Sequence, residues 1–157
     1  MDIKEKYDEL IKLVEEADFV DFAPFGSGVN ESLILKAEKY LGLLLPPSYK
    51  WWLLHFSGGE IYHQEIYSLY DSGLSEEFSG GDICYMNKIN TQKGWTDNGK
   101  RLFISQPSGC DEWFYFKPSN DLEWSVFKCD SGLNHEQLYS KSFVEFLIKR
   151  IEEWFDE

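Results

Sequence analysis

Residues 30–59 read NESLILKAEKYLGLLLPPSYKWWLLHFSGG, and the first half of this stretch predicts a complete helix. Asn30 is a suitable N-cap, because its side-chain oxygen can accept from a backbone N–H of the first turn that has no partner inside the helix. Apolar residues then recur at helical spacing as far as Leu41. Gly42 follows at the position where a left-handed residue often closes a helix. We therefore expect a helix over residues 30–41.

The second half of the stretch predicts another helix, beginning after the Leu45-Pro46 dipeptide. Pro47 suits the first helical position, because the N–H that it lacks would have no partner there. The apolar stripe that follows consists of Tyr49, Trp52, Leu53 and Phe56. Trp51 lies off this stripe, so we expect its ring to be partly exposed; the alternative is that the ring covers a neighbouring loop. The residues Ser57-Gly58-Gly59 end the helix.

Three further helices are predicted outside this stretch, over residues 2–16, 83–92 and 142–155. The first helix is amphipathic, and Asp2 and Glu5 at its start have the spacing of a capping box. Ser142 and Glu145 have the same spacing in front of the apolar run of the last helix. Residues 19–29 are predicted as a connector.

Runs of β-branched and aromatic residues predict strands at residues 60–69, 102–105, 113–117 and 124–129. Turn residues at 107–109 and 118–121 separate the last three of these strands. Strands that follow one another through short turns pair in an antiparallel sheet. The sequence therefore predicts helices together with an antiparallel sheet.

The composition favours a single domain over residues 1–157. Hydrophobic residues make up 43% of the 157 residues, and this length is sufficient to bury a core without metal or disulfide support.

The 15 basic and 28 acidic residues give a net charge of −13. Such a charge repels nucleic acid and anionic lipid, and it favours a basic protein partner. The alternative is that the acidic charge only maintains solubility.

Neither a metal nor another cofactor is expected. Cys84, Cys110 and Cys129 are widely spaced, and the sequence contains neither a CxxC motif nor Cys-His spacing typical of zinc sites. The N-terminus has no apolar region of the kind found in signal peptides, and no apolar run approaches a membrane span. These features predict a protein of the reducing cytoplasm.

No arrangement of residues predicts catalysis, so we expect that the protein is not an enzyme. His55, His63 and His135 are far apart in the sequence, and no two are spaced to share a metal on one helix face. Asp111 and Glu112 are adjacent on a predicted strand, where neighbouring side chains point to opposite faces. A small enzyme would need a pocket that brings together two of His63, His135, Asp111 and Glu112.

Binding to a protein is the favoured function, because acidic and aromatic residues lie close together in two segments. Residues 71–82 (DSGLSEEFSGGD) are predicted as an acidic loop, and an acidic pair precedes a Trp at residues 111–113. An exposed aromatic side chain with an acidic rim suits a basic partner. The predicted partner-binding residues are Trp51, Asp71, Glu76, Glu77, Asp82, Asp111, Glu112 and Trp113.

The order of several short motifs resembles the SUKH superfamily. In the first half, an acidic residue in a helix ending in Leu-Gly is followed by Leu-Pro, Tyr-Lys and a Gly pair; these residues are Glu38, Leu41-Gly42, Leu45-Pro46, Tyr49-Lys50 and Gly58-Gly59. The second half adds an apolar strand, a Gly-Asp turn, an aromatic strand and a Ser-Phe helix start; these are Leu102-Phe103-Ile104, Gly109-x-Asp111, Trp113–Phe116 and Ser142-Phe143-x-x-Phe146-Leu147. Cys110 departs from the pattern, because the family often has glycine there.

This resemblance spans roughly residues 30–150 and implies an α+β fold, with N-terminal helices and a C-terminal helix packed on one mainly antiparallel β-sheet. The superfamily includes bacterial toxin-immunity proteins, which bind and block a cognate toxin, often a nuclease domain. A nuclease surface must be basic to hold nucleic acid, in agreement with the basic partner favoured by the charge. The resemblance thus implies a cytoplasmic immunity protein. The alternative is a regulatory scaffold similar to the fungal cell-wall assembly regulators, which would bind endogenous signalling proteins.

Overall fold

A computed structural model describes residues 2–70, 81–105 and 112–155. Five helices lie in these ranges: α1 (Ile3–Glu16), α2 (Glu31–Leu41), α3 (Pro47–Phe56), α4 (Ile83–Gln92) and α5 (Phe143–Phe155). All five predicted helices are confirmed. The Asp2 carboxylate accepts from the Glu5 N–H at 2.9 Å, and the Asn30 side chain accepts from the Leu33 N–H at the same distance. Gly42 closes α2 in the left-handed conformation, with φ at 70°.

The strands form one sheet of seven, β1 (Val20–Phe22), β2 (Gly59–Ile61), β3 (Gln64–Ile66), β4 (Leu102–Ser105), β5 (Glu112–Phe116), β6 (Val126–Asp130) and β7 (Gln137–Ser140). The order of the strands in the sheet is their order in the chain, and each pairs antiparallel with its neighbours. The prediction of an α+β fold with one mainly antiparallel sheet is therefore confirmed.

Three of the strand assignments from sequence are wrong. The predicted connector over residues 19–29 contains β1, and Val20 of β1 pairs with Ile61 of β2. The predicted single strand over residues 60–69 is a hairpin of β2 and β3, which turns at Tyr62 and His63. The sequence pattern also missed β7 entirely.

The core lies between the sheet and the pair formed by α3 and α5. The rings of Tyr49 and Phe143 meet at 4.8 Å between centroids, and Phe116 of β5 packs edge-on against Tyr49 at 5.6 Å. Trp52 is fully buried within this group of rings. The apolar stripe predicted for α3 is therefore its core-facing side, and α1 packs outside it against α5.

Two polar contacts fix the helices to distant parts of the chain. The Glu123 carboxylate accepts from the backbone N–H and the hydroxyl of Ser48, at 3.0 and 2.9 Å, and so caps the first turn of α3. The Asn87 amide of α4 donates to the Phe103 carbonyl at 2.9 Å and accepts from the Phe103 N–H at 2.8 Å. Asn87 thereby pairs with β4 as a neighbouring strand would.

Candidate protein-binding surface

The predicted partner-binding residues do not form one surface in the described part of the chain. Asp71, Glu76, Glu77 and Asp111 lie outside the described residues. The remaining residues, Trp51, Asp82, Glu112 and Trp113, occupy α3, the start of α4 and β5.

Asp82 does not belong to an exposed acidic rim, because its carboxylate is buried and caps α4. It accepts from the backbone N–H groups of Tyr70 and Tyr85, both at 2.9 Å. Burial raises the pKa of Asp82, although these hydrogen bonds act in the opposite direction. An Asp directly before an apolar run is typical of a helix N-cap. Asp82 is therefore explained by its role as the N-cap of α4, and not by a role in an acidic loop.

Trp51 is half-buried within a row of stacked rings. Its indole lies parallel to the Tyr7 ring of α1, with centroids 4.1 Å apart and planes within 5°. Its other neighbour is the His55 ring at 4.7 Å, and the exposed ring of Phe25 stacks on His55 at 5.3 Å. His55 is therefore not a freely solvated side chain, and Trp51 is in part a structural contact between α1 and α3.

Glu112 and Trp113 are neighbours on β5 and are both partly exposed. The Glu112 carboxylate lies 3.5 Å from Nζ of Lys128 on the adjacent strand. The Trp113 ring packs edge-on against Trp95 and Phe103, at 5.4 and 5.3 Å between centroids. Glu112 thus already has a cationic partner, and Trp113 already has aromatic contacts.

Of the residues considered for catalysis, the two histidines His63 and His135 lie far apart. Asp111 lies outside the described residues, and Glu112 lies opposite Asp130 in the strand register. His63 lies 3.6 Å from the Glu60 carboxylate in the turn between β2 and β3, whereas Nδ1 of His135 lies 2.5 Å from the Asp130 carboxylate near β7, at the other end of the sheet. Burial and the nearby Asp82 carboxylate raise the pKa of Cys84 to about 12, which disfavours the thiolate, the nucleophilic form of cysteine. Within the described ranges, no His, Cys, Asp and Glu side chains form a group of three or more able to hold a metal ion.

The strand register assembles an acidic feature that the sequence analysis missed. Asp21 of β1 lies opposite Glu60 of β2, and Glu60 lies opposite Glu65 of β3. We call Asp21, Glu60 and Glu65 the carboxylate row. The residues on either side of each member are more buried or face the core, so the row lies on the outer face of the sheet.

No Lys or Arg of the described ranges forms an ion pair with the carboxylate row. Its one ionic contact there is the imidazole of His63 near Glu60. Burial and the charge of Glu60 together raise the pKa of Glu65. Like charges directly opposite each other on neighbouring strands destabilise the pair. The row is therefore a place where the fold tolerates unfavourable electrostatics.

The carboxylate row lies in the more acidic half of the sequence. Residues 1–82 hold sixteen of the 28 acidic residues and only six of the 15 basic residues. This half of the chain contains α1, α2, α3 and the first three strands, which form one edge of the sheet. The acidic excess of the sequence is thus concentrated in the segment that also supplies the carboxylate row.

A comparison with protein families gives a match. A family model described as the SMI1 / KNR4 family (SUKH-1) matches residues 28–149, which is most of the chain. No curated protein matches. The matched range begins after α1 and β1, so Asp21 precedes it while Glu60 and Glu65 lie within it. In the ranges that the structure describes, no helix combines the length and the apolar character needed to cross a membrane.

Proposed function

The chain belongs to the SMI1/KNR4 family (SUKH-1), a family that includes toxin-immunity proteins, and from this membership we propose that it is a cytoplasmic immunity protein. It binds a cognate toxin domain, of the nuclease type, and neutralises the toxin by direct protein contact. Its role is binding rather than catalysis, and its partner is a basic protein.

The carboxylate row is the observation that carries this proposal. Three carboxylates from three strands face outward without a Lys or Arg partner in the described ranges. Their mutual repulsion opposes folding, so a cation supplied by another protein would relieve it. A basic toxin surface provides such cations. Charged groups of this kind increase the association rate more than they increase the final affinity.

The same contact explains inhibition. A nuclease holds its substrate through Lys and Arg side chains that neutralise phosphates. An acidic protein bound over those side chains occupies the groups that the nucleic acid needs. Neutralisation therefore requires only a complex of one toxin domain with one immunity protein, and it requires no chemical step.

The proposal predicts that a toxin domain is encoded beside the gene of this chain, and co-expression of the two tests it. We expect protection of the host cell and a complex of equal stoichiometry. The variant Asp21→Asn/Glu60→Gln/Glu65→Gln should protect less well. The matched control, Asp8→Asn/Glu15→Gln/Glu16→Gln, removes the same number of exposed charges from α1 and should protect fully. Absence of protection by the unaltered chain, together with co-purification of endogenous signalling proteins, would favour the regulatory scaffold instead.

A further inference from the structure

An aromatic patch lies at the tip of the β2–β3 hairpin, beside the carboxylate row. It consists of Phe19, Tyr62, Trp154 and Phe155. The Tyr62 ring is parallel to the Trp154 indole, with centroids 4.2 Å apart and planes within 9°. Phe19 packs edge-on against Phe155 at 5.1 Å. Tyr62 is 51% exposed and Phe155 is 47% exposed, so both rings are accessible to a partner.

The hairpin holds the patch in a fixed place. The Tyr62 N–H donates to the Phe19 carbonyl at 2.8 Å, which joins the tip of the hairpin to the segment before β1. Tyr62 and His63 both have positive φ, at 46° and 69°. Two-residue turns of this kind favour Asn and Gly. Stacking on Trp154 supports a Tyr at this position and leaves part of its ring accessible to solvent.

Two members of the carboxylate row lie close to the patch in the strand register. Glu60 precedes Tyr62 by two residues on the same hairpin, and its carboxylate lies 3.6 Å from the His63 imidazole. Asp21 lies two residues after Phe19 and directly opposite Glu60. A partner that covers the aromatic patch therefore meets carboxylates at its border, and charge complementarity requires that this partner be cationic.

We infer that the patch docks an arginine side chain of the partner, with the guanidinium stacked on Tyr62 and hydrogen-bonded to Glu60. Arginine fits this combination better than lysine, because its planar group stacks on aromatic rings and presents a fork of N–H donors to a carboxylate. The ammonium of lysine is more strongly hydrated and does not stack in this way. The inference rests on the proposed function, since it names the chemistry of the same partner.

The test compares octa-arginine with octa-lysine as fluorescent peptides binding to the full chain, measured by anisotropy at fixed ionic strength. We expect octa-arginine to bind about two- to fivefold more tightly than octa-lysine. The variant Tyr62→Leu should lose this preference, and Tyr62→Phe should retain it because the ring remains. Tyr40→Leu is the matched control, since Tyr40 is 50% exposed on α2, and it should bind as the unaltered chain does.

Equal affinity for the two peptides, or a preference that survives Tyr62→Leu, would overturn the inference. Thermal melts of the Tyr62 and Tyr40 variants confirm that both remain folded at the assay temperature. The two proposals fail separately. If the chain prefers octa-arginine but does not protect against the toxin, only the proposed function is overturned. If the chain protects but binds both peptides equally, only the arginine site is overturned.

Discussion

Glu60 lies directly opposite Glu65 across the β2–β3 hairpin, and both carboxylates are on the outer face of the sheet. Asp21 extends the line on β1. Cross-strand neighbours of opposite charge would stabilise this edge of the sheet, whereas like charges weaken it. The arrangement is understandable if the compensating cations belong to another protein.

Glu65→Gln should raise the free energy of unfolding at pH 7 by a few tenths to about 1 kcal/mol, because it removes one member of the like-charge pair. Burial and Glu60 raise the pKa of Glu65 in the folded protein, so its ionised form opposes folding. As the pH falls through this raised pKa toward the ordinary range of about 4.3, the group becomes protonated and the advantage of Gln disappears.

Urea denaturation of Glu65→Gln and of the unaltered chain, at neutral pH and near pH 4, measures this difference. Glu15→Gln on α1 is the control, since Glu15 is exposed and forms no ion pair in the described ranges. A loss of stability at pH 7, or a gain that does not depend on pH, would contradict the electrostatic account of the row.

Trp52→Ala should lower the free energy of unfolding by about 3–5 kcal/mol, because the side chain is fully buried and its removal leaves a cavity. Trp51→Ala should cost less, about 1–2 kcal/mol, since Trp51 is half-buried and loses its stacks on Tyr7 and His55. From the sequence we expected a partly exposed Trp51 ring that binds the partner. Thermal and urea denaturation of both variants measure these losses. The variants Tyr7→Leu and Tyr7→Leu/Trp51→Ala isolate the contribution of the stack between Tyr7 and Trp51. An effect of Trp51→Ala as large as that of Trp52→Ala would place Trp51 in the core.

Glu123→Gln should destabilise the protein by about 1 kcal/mol through the start of α3. Pro46, at the N-cap, makes no side-chain hydrogen bond to the helix, so the carboxylate of Glu123 supplies the cap through Ser48. The charge also suits the positive end of the helix dipole. Asp121→Asn, on the same loop and exposed, is the control. Equal melting temperatures for the two variants would show that the cap contributes nothing.

Asn87→Ala should cost about 1–3 kcal/mol, because it leaves the N–H and C=O of Phe103 without their amide partners. Hydrogen exchange supplies the specific readout. In Asn87→Ala, we expect hydrogen exchange of the Phe103 amide to accelerate more than exchange of the amides in the middle of β5. The exposed Lys88 on the same helix provides the control, Lys88→Ala. Unchanged exchange at Phe103 would mean that Asn87 does not protect this edge of β4.

The helices could be predicted because their signals are local. Asn30, Gly42 and Pro47 each act on backbone groups within one turn, so their positions in the sequence suffice. The strands β1 and β7 could not be found, since each has only three or four residues and gains its stability from pairing with a distant strand. The turn at Tyr62 and His63 was hidden for another reason: neither residue is typical of a turn with positive φ.

The candidate surface was even less accessible from the sequence. Glu60 and Glu65 are five residues apart in the chain and Asp21 is far from both, and only the register of three strands places them side by side. The prediction of an acidic, aromatic surface for a basic partner remains a prediction, now placed on residues other than those first considered. Recognition of the hairpin between Ile61 and Gln64 would have revealed the pairing of Glu60 with Glu65.

We propose that the carboxylate row guides a basic toxin domain onto this protein. Stopped-flow measurement of the association rate, from low to physiological salt, tests it most directly. We predict a steep fall of the rate with salt for the unaltered chain and for Asp8→Asn/Glu15→Gln/Glu16→Gln, and a slower, flatter dependence for Asp21→Asn/Glu60→Gln/Glu65→Gln. Rates that do not change with salt, or row and control variants that behave alike, would contradict the account.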